Sequence, residues 1–348
     1  MFTTESHPQY TRRILVDVSP ILYSNLISAT NQEKRRGVKP DPITGKISVN
    51  KNVVIFLIIE ELAKLRSTFN TDEVILAYDN NEGGYWRKQV YDRYKYKRKK
   101  SRDDSVVDWE NGFKIFKTIR ELVEHTSFKI IDVASAEADD ISFVLGKYFQ
   151  DKGGVTMVSL DGDWRLTLQY QNVSLYKTRK TQKLPGIYEE LTLEEVLEKQ
   201  DLMCIQGDRK DGMLHIKSWT QFSDEFLEEY PKYKNKEEEL YSKHHQIEHM
   251  YNLKHNWEKS AYKHPQYGFK TFKKSKKTIK ELLKENNIYK KNYELNKTLC
   301  LPENVPKTLQ DNIIHAYETA SDVKDPAKLN SLFMKHGLFE LISQLPFL

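Results

Sequence analysis

The sequence has little of what marks an extracellular, fibrous or membrane protein. Its only cysteines, Cys204 and Cys300, cannot build a disulfide framework and lack the spacing of a metal site, so we expect both to be reduced and structural. The 14 glycines and 11 prolines lie below average usage, which favours a helix-rich globular chain. The longest apolar run, Val53 to Ile59, is too short to cross a bilayer. No secretory segment follows Met1, so we expect a cytoplasmic protein.

The chain also lacks a strong excess of charge of either sign. Its 55 Lys and Arg residues and 50 Asp and Glu residues give a formal net charge of +5, although 30% of all residues are charged. With 348 residues and a hydrophobic content of 39%, the chain is long enough for two domains with real cores. A net charge this small does not show whether acidic and basic residues are mixed or separated in the sequence. Their order along the chain answers that question.

The first 180 residues alternate between short β-rich apolar runs and stretches with helical spacing of apolar residues. This alternation is typical of an α/β fold, in which helices cover a parallel sheet. Strands are predicted at Arg13–Val18, Glu73–Tyr78, Phe128–Val133, Val155–Leu160 and Asn172–Tyr176. Helices are predicted at Asn52–Arg66, Phe113–His125 and Glu137–Gln150, and after an N-cap at Thr192 with Glu195 three residues on.

Beyond Gly207 the strand signals stop, and the chain becomes charged and helical. A loop near Leu301-Pro302 is followed by two more helical stretches. We therefore place a domain boundary between residues 206 and 207. Ser223–Tyr262 mixes acids and bases, which predicts an exposed charged helix or an insertion.

Acidic residues lie at the carboxyl ends of four of the predicted strands, and a further pair opens the second region. The carboxyl ends of parallel strands line one crevice, and so many carboxylates cannot all ionise side by side without cations between them. Hard oxygen ligands suit Mg²⁺ or Mn²⁺, and two such ions about 3.5–4 Å apart serve phosphodiester hydrolysis. Any single acid of this kind also suits a turn or a helix cap, but their convergence favours a metal site. The acids are Asp17, Asp79, Glu137, Asp139, Asp140, Asp161, Asp163, Asp208 and Asp211.

Basic residues collect in two segments. Between Arg87 and Arg102 nine bases accompany one acid, three tyrosines are interleaved, and Tyr85 and Trp86 directly precede the segment. Cations for phosphates beside rings for unpaired bases are typical of single-stranded nucleic acid binding. The second segment, Lys270 to Lys284, lies on a predicted helix and suits contacts with a duplex backbone. The alternative for both segments is a solvated charged surface.

In this order, the motifs resemble those of the flap endonuclease and 5′-exonuclease family. The likeness covers roughly residues 12–213 and resumes more loosely over residues 293–317 and 333–342. The stretches that carry it are Val16-Asp17-Val18-Ser19, Tyr78-Asp79-Asn80, Gly84-Tyr85-Trp86-Arg87, Asp108-Trp109-Glu110, Glu137-Ala138-Asp139-Asp140, Ser159-Leu160-Asp161-Gly162-Asp163 and Gly207-Asp208-Arg209-Lys210-Asp211.

The resemblance implies a PIN-like (resolvase-like) sheet with helices on both faces, followed by a helical region with a helix-three-turn-helix-like DNA-binding motif. It makes the nine acids direct or water-mediated ligands of two Mg²⁺ ions, for which Mn²⁺ substitutes. It makes Lys95 and Arg98 a catalytic pair on a helical arch over residues 83–105. Further nucleic acid contacts are predicted at Arg87, Lys88, Tyr94, Lys97, Lys99, Lys100, Lys270, Lys273, Lys274, Lys276 and Lys277. At Gly212-Met213-Leu214-His215 the chain departs from the family pattern, so duplex binding there is expected to be built differently.

The activity implied is that of a monomeric, structure-specific 5′→3′ exonuclease and flap endonuclease. Its substrates would be DNA and the RNA of RNA–DNA hybrids, and its task the removal of RNA primers and flaps in lagging-strand replication. Partners implied are a single-stranded-DNA-binding protein and a sliding clamp, the latter through Gln344–Leu348, although this tail equally suits packing on its own domain. Two alternatives stay open: a PIN-type ribonuclease acting on RNA alone, and a non-catalytic DNA-junction binder.

Overall fold

The structure, a computed structural model, describes residues 13–178, 186–208, 210–213, 216, 278–284 and 287–348. It divides into two compact units. The first unit takes its residues from Met1–Gln89, Lys99–Val196 and Val305–Leu348, and the second from Val90–Arg98 and Leu197–Asn304. The predicted insertion Ser223–Tyr262 and the lysines from Lys270 to Lys277 lie outside the described residues.

The first unit is built on a six-stranded sheet with the strand order β3-β2-β1-β4-β5-β6. The first five strands are parallel and the last is antiparallel to its neighbour. All five predicted strands are confirmed to within two residues at each end. The short sixth strand was not predicted. The strands are β1 Arg13–Asp17, β2 Glu73–Tyr78, β3 Lys129–Asp132, β4 Val155–Val158, β5 Val173–Lys177 and β6 Ile187–Glu189.

Helices flank the sheet in the first unit. The predicted helices are confirmed as α2, α5 and α6, and the Thr192–Glu195 capping box opens α7 as expected. A helix over Val18–Arg35 was not predicted, because polar residues separate the apolar ones that it buries. The helices up to this point are α1 Val18–Arg35, α2 Lys51–Phe69, α3 Trp86–Val90, α4 Lys97–Asp103, α5 Trp109–Val123, α6 Ala138–Phe149 and α7 Leu193–Gln206.

Both faces of the sheet are buried, which explains why its strands read as continuous apolar runs. Ile14 and Val16 face a core that they share with residues of α1, α2 and α5. The intervening Leu15 points to the opposite face, as does Met157. There α6 packs so closely that a Cβ on Gly146 would lie 3.0 Å from the Met157 side chain. The two-sided burial confirms the predicted α/β architecture.

The C-terminal segment belongs to the first unit, which differs from the predicted boundary. It contains α10 Lys307–Thr319, α11 Pro326–His336 and a 3₁₀ helix at Phe339–Phe347. Leu348 is fully buried in the same core as α2, and its main-chain oxygen accepts a hydrogen bond from Ser127 Oγ at 2.9 Å. The last residues are therefore packed on their own unit, which supports that alternative over docking into a sliding clamp.

The described part of the second unit is helical. It contains most of α7, together with α8 Ile279–Lys284, α9 Asn287–Cys300 and a short 3₁₀ turn at Pro302–Asn304. Cys204 and Cys300 are free and buried in its core, and burial raises the pKa of the Cys204 thiol to about 12. Among the described helices of either unit, none is both long and apolar enough for a membrane crossing.

Candidate functional site

Seven of the nine acids predicted from the sequence lie at or after the ends of four strands that are neighbours in the sheet. In the order β3, β2, β1, β4, the register pairs Tyr78 with Asp132, Asp17 with Ala77, and Val16 with Val158. The strands therefore end within about two residues of one another, at what we call the carboxyl edge. Asp17 is the last residue of β1, and Asp79, Asp161 and the Glu137–Asp140 group follow the ends of the other three strands. Open parallel sheets bind ligands at this edge.

Ser159 joins two of the acids. Because Val16 is paired with Val158, the next residues along β1 and β4, Asp17 and Ser159, stand side by side. The Ser159 hydroxyl donates to Asp17 Oδ2 at 2.7 Å and accepts a hydrogen bond from the Asp161 main-chain amide at 2.9 Å. Asp161 Oδ1 accepts from the amide of Asp163 at 2.9 Å. A buried serine thus fixes the spacing between the ends of β1 and β4.

Asp79 is held by neutral donors from two helices. Its Oδ2 accepts a hydrogen bond from Ser19 Oγ at 2.6 Å, and its Oδ1 accepts one from the Ala138 amide at 2.9 Å. Ser19 lies in the first turn of α1 and Ala138 begins α6. A hydroxyl and an amide stabilise a carboxylate by hydrogen bonding but leave its negative charge in place.

Asp139, in the first turn of α6, is oriented by an indole. Trp164 Nε1 donates to Asp139 Oδ1 at 2.9 Å, and the Trp164 side chain is fully buried. The tryptophan belongs to a 3₁₀ helix at Asp163–Gln169 that follows β4. The bond therefore connects the acids that follow β3 with those that follow β4.

Glu137 and Asp140 form a buried cluster with Arg87. Arg87 Nη1 donates to Glu137 Oε2 at 2.7 Å, and Arg87 Nη2 lies 2.8 Å from Asp140 Oδ1. Trp86 Nε1 donates to Asp140 Oδ2 at 3.2 Å. Glu137 and Asp140 also form the capping box that begins α6. Burial raises the pKa of Asp140, and the charge of Arg87 opposes that rise.

Two of the predicted nucleic acid contacts, Arg87 and Tyr94, have buried side chains in this structure. Arg87 is 3% exposed and enclosed in the cluster just described. Tyr94 is also 3% exposed and packs in the core of the second unit. Lys88 and Lys99 are exposed, as a phosphate contact requires. The side chains of Lys97 and Lys100 lie outside the described part of the structure.

The second unit brings together three more of the predicted residues. Arg98 Nη2 donates to Asp211 Oδ1 at 2.6 Å, and Lys95 Nζ lies 3.8 Å from Asp211 Oδ2. Lys95 has a positive φ of 59°, and its amide donates to the main-chain oxygen of Asp211 at 2.8 Å. The other predicted ligand in this unit, Asp208, caps a turn through the amide of Lys210. The predicted catalytic pair therefore shares Asp211 as counter-ion.

The donor set at the carboxyl edge fits a hard divalent cation by its chemistry. It offers carboxylate oxygens from four strand ends, and Asp79 and Asp161 accept hydrogen bonds from hydroxyl or amide groups, which do not cancel their charge. In the side-chain arrangement of the described residues, no three His, Cys, Asp or Glu side chains are gathered closely enough to hold an ion together.

The sequence reasoning missed the residues that orient the acids. Ser19, Ser159 and Trp164 each lie within three residues of a predicted ligand along the chain, and that proximity was the available signal. Proximity does not identify the partner, however. Ser19 bonds Asp79 rather than Asp17, which is only two positions away.

A mostly parallel, resolvase-like sheet with an acid-lined carboxyl edge defines the class of this protein. The model of the 5′-3′ exonuclease N-terminal resolvase-like domain matches residues 14–201, which is more than half of the chain. The chain therefore belongs to the 5′-3′ exonuclease family, and the family resemblance noted in its motifs is confirmed.

Individual relatives agree with this assignment. The chain is 29% identical over 184 residues to the ribonuclease H of Enterobacteria phage T4, covering 51% of this chain and 58% of that protein. It is 28% identical over 177 residues to a 5′-3′ exonuclease of Mycoplasmopsis pulmonis (strain UAB CTIP), covering 50% of this chain and 56% of that protein. The match thus spans little more than half the length of these curated relatives.

A solved structure shares the fold. The T5 D15 protein, co-crystallized with metal ions, superposes with a TM-score of 0.52 at 15% sequence identity. The superposition covers 92% of this chain and 98% of that one. At this identity the likeness supports the fold alone.

Proposed function

We propose that this protein is a metal-dependent 5′-nuclease that hydrolyses phosphodiester bonds by 5′→3′ exonuclease and flap endonuclease action. The observation that carries the proposal is the carboxyl edge, where four neighbouring strands each end at or just before acidic residues and two of these acids, Asp79 and Asp161, are held by neutral donors. Family membership supports it, because the matching model is that of a 5′-3′ exonuclease domain.

Mg²⁺ is the proposed cofactor, with Mn²⁺ as a substitute. When bound, two such ions supply an activated water and stabilise the leaving oxygen. The proposed ligands, direct or through water, are Asp17, Asp79, Glu137, Asp139, Asp161, Asp163, Asp208 and Asp211. Asp140 was also predicted as a ligand, but its full burial and its bonds to Arg87 and Trp86 favour a supporting role.

The chain's own groups would orient the acids and receive the phosphate. Ser19 and Ser159 hold Asp79 and Asp17 with one carboxylate oxygen each, which limits the rotation of the side chains. Lys95 and Arg98 carry the positive charge that stabilises a scissile phosphate as its negative charge develops. The exposed Lys88 and Lys99 suit contacts with the nucleic acid backbone.

The proposed substrates are 5′-flap, nicked and primer–template DNA, together with RNA in RNA–DNA hybrids. The names of two relatives support these substrates, since one is the ribonuclease H of phage T4 and the other is a 5′-3′ exonuclease of Mycoplasmopsis pulmonis. The proposed task is the removal of RNA primers and flaps during replication.

Cleavage of a labelled 5′-flap DNA tests the proposal. We expect cleavage with Mg²⁺ or Mn²⁺, none with EDTA, and none with Asp161→Asn, whose DNA binding should be retained or strengthened because a negative charge is removed near phosphates. A labelled RNA–DNA hybrid should also be cut. Retained turnover of Asp161→Asn in Mg²⁺ would contradict the assignment.

The same assay separates the alternatives. Cleavage of single-stranded RNA without cleavage of flap DNA would indicate a PIN-type ribonuclease. Tight binding of flap DNA with no cleavage in either metal would indicate a non-catalytic junction binder.

A further inference from the structure

Arg87 is buried against two carboxylates at the start of α6. Its guanidinium donates to Glu137 and lies within ion-pair distance of Asp140, and the three side chains are 3%, 1% and 0% exposed. The ring of Trp86 stacks against the guanidinium at 4.7 Å and donates its own Nε1 hydrogen to Asp140. The guanidinium is therefore fixed on several sides.

This geometry limits what Arg87 can do. A side chain that is 3% exposed cannot bind the phosphate of a nucleic acid without leaving its two carboxylates uncompensated, and an unpaired buried charge is strongly destabilising. Its planar fork instead suits two carboxylates at once, which the single ammonium of a lysine does not. One cation between two acids also leaves a net negative charge on the group.

Glu137 is the member of this group that belongs to the proposed metal site. It follows β3 at the carboxyl edge and precedes Ala138, whose amide holds Asp79. Asp140 lies one helical turn further on and is turned towards Trp86, Arg87 and the amide of Glu137. Fixing Arg87 therefore fixes the Glu137 carboxylate.

We propose that Arg87 is a positioning residue, which holds the Glu137 carboxylate for divalent metal binding and is itself held by Asp140 as a structural counter-ion. The proposal rests on the proposed function, since it takes Glu137 as a metal ligand. It also gives α3 a role, because this short helix continues directly into Val90–Arg98, the segment that contains the proposed catalytic pair. The ion pairs hold Arg87, within α3, against the start of α6.

Mn²⁺ binding to the full 348-residue chain, measured by the loss of the free-ion EPR signal, tests this role without any turnover. Arg87→Met should weaken Mn²⁺ binding by about 10–100-fold, as changes to groups that orient metal ligands typically do. Arg87→Lys should recover part of the loss. The affinity of Arg87→Met for flap DNA in EDTA should stay within about twofold of wild type, since Arg87 meets no phosphate.

Lys88→Met provides the matched control, because Lys88 is the adjacent but exposed cation. It should show the reverse pattern, with unchanged Mn²⁺ affinity and a weaker, less salt-dependent affinity for DNA in EDTA. If Arg87→Met keeps wild-type Mn²⁺ affinity and loses DNA affinity instead, Arg87 is a phosphate contact and the proposal is wrong.

A double-mutant cycle tests whether Arg87 acts through Glu137. In a Glu137→Gln background, Arg87→Met should weaken Mn²⁺ binding by no more than about twofold further, because the positioned charge is already gone. An additive loss would contradict the proposal. If Arg87→Met does not fold, as thermal unfolding will show, Arg87→Lys takes its place in the cycle. The single variant Glu137→Gln tests whether Glu137 is a metal ligand. Wild-type Mn²⁺ affinity in that variant would overturn the proposal.

The wild-type chain separates this inference from the proposed function. A wild-type protein that neither binds Mn²⁺ nor cuts flap DNA contradicts the proposed function itself. A wild-type protein that does both, while the Arg87 variants bind Mn²⁺ normally, contradicts only the role of Arg87.

Discussion

A carboxylate lies at each end of strand β2, and the two carboxylates have different hydrogen-bond partners. At the amino end, Glu73 accepts hydrogen bonds from Arg13 Nε at 3.0 Å and Tyr317 OH at 2.9 Å, and its Oε1 lies 2.9 Å from Lys129 Nζ. Just beyond the carboxyl end, Asp79 accepts from a serine hydroxyl and a main-chain amide. The first carboxylate has its charge cancelled and the second keeps it.

The difference separates a structural carboxylate from a functional one. Three neighbouring strands begin at Arg13, Glu73 and Lys129. We call this side of the sheet the amino edge, and the ion pairs of Glu73 with Arg13 and Lys129 hold the starts of the three strands together. Burial would raise the pKa of Glu73, but hydrogen bonds from Lys129, Arg13 and Tyr317 together lower it. A ligand for a divalent cation needs the opposite, an oriented carboxylate whose charge remains available.

The same amino edge anchors the C-terminal segment. Tyr317 lies in α10 and reaches Glu73, while Leu348 packs in the core and bonds Ser127, which closely precedes β3. The two edges of the sheet therefore have different roles. The amino edge holds the C-terminal segment on the sheet, and the carboxyl edge is the place of the proposed chemistry.

The sharpest test of this division exchanges one carboxylate for an amide at each end of β2. Asp79→Asn should lower flap cleavage on the order of 10³-fold, because metal binding supplies several kcal/mol of transition-state stabilisation. Glu73→Gln should keep cleavage within about twofold at 25 °C, since it lies far from the proposed chemistry along the strand. Rates of single-turnover cleavage in Mg²⁺ provide the measurement. Equal losses in the two variants would mean that the edges are not functionally distinct.

The next largest effect is expected from the amino edge itself. Leu348→Ala should destabilise the chain by about 2–4 kcal/mol, because it removes a fully buried leucine from the core. Phe347→Ala, at a side chain that is 43% exposed, should cost less than about 1 kcal/mol. Urea unfolding of both variants gives the comparison. Wild-type stability of Leu348→Ala would reopen the sliding-clamp hypothesis for this tail.

A smaller effect is expected when an orienting hydroxyl is removed at the carboxyl edge. Ser159→Ala should weaken Mn²⁺ binding by about 10–100-fold, because Asp17 loses the group that orients it. Ser174→Ala is the matched control in the same sheet, since the Ser174 hydroxyl bonds Thr156 instead of an acid. Calorimetric titration with Mn²⁺ distinguishes the two variants. Equal affinities would show that Ser159 is only a packing residue.

The smallest effect is a pH dependence of stability at the amino edge. Since the pKa of Glu73 in the folded chain lies below its usual value of 4.5, ionised Glu73 contributes stability above about pH 4.5. That contribution is lost as the pH falls through the lowered pKa. Glu73→Gln should therefore be less stable than wild type by about 1 kcal/mol at pH 7, and the difference should shrink towards pH 3.

Urea unfolding between pH 7 and pH 3 measures this difference. Glu110→Gln serves as the control, because Glu110 also pairs with a lysine but is exposed, so its effect should be smaller. A constant difference between Glu73→Gln and wild type across this range would show that the charge of Glu73 does not matter.

Much of the fold and of the candidate site followed from local patterns in the sequence. Five strands were predicted because a buried parallel strand is a short, continuous apolar run, which needs no distant information to recognise. The acids could be placed at one edge because parallel strands all end on the same side. Helix α1 was not predicted because its polar residues obscure the helical spacing of the apolar ones.

The burial of Arg87 and Tyr94 could not be predicted in the same way. The segment from Arg87 to Arg102 alternates bases and rings without a period, so nothing local shows which side chains point inward. Their partners lie far along the chain, Arg87 with Glu137 and Asp140, and Tyr94 in a core with Cys204 and Leu299. Local patterns cannot specify contacts of such sequence separation.

The sequence by itself determined the sorting of charge, with acids after the strands and bases between them, because strand ends and charge runs are local features. The tertiary structure decided which charges are cancelled and which remain. Arg87 was drawn from the basic segment into the interior, and Glu73 was neutralised by residues that begin the neighbouring strands. Asp79 met only a hydroxyl and an amide among the hydrogen bonds that the described residues give it. Burial makes an unpaired charge costly, so packing, and not composition, selects the partner of each buried ion.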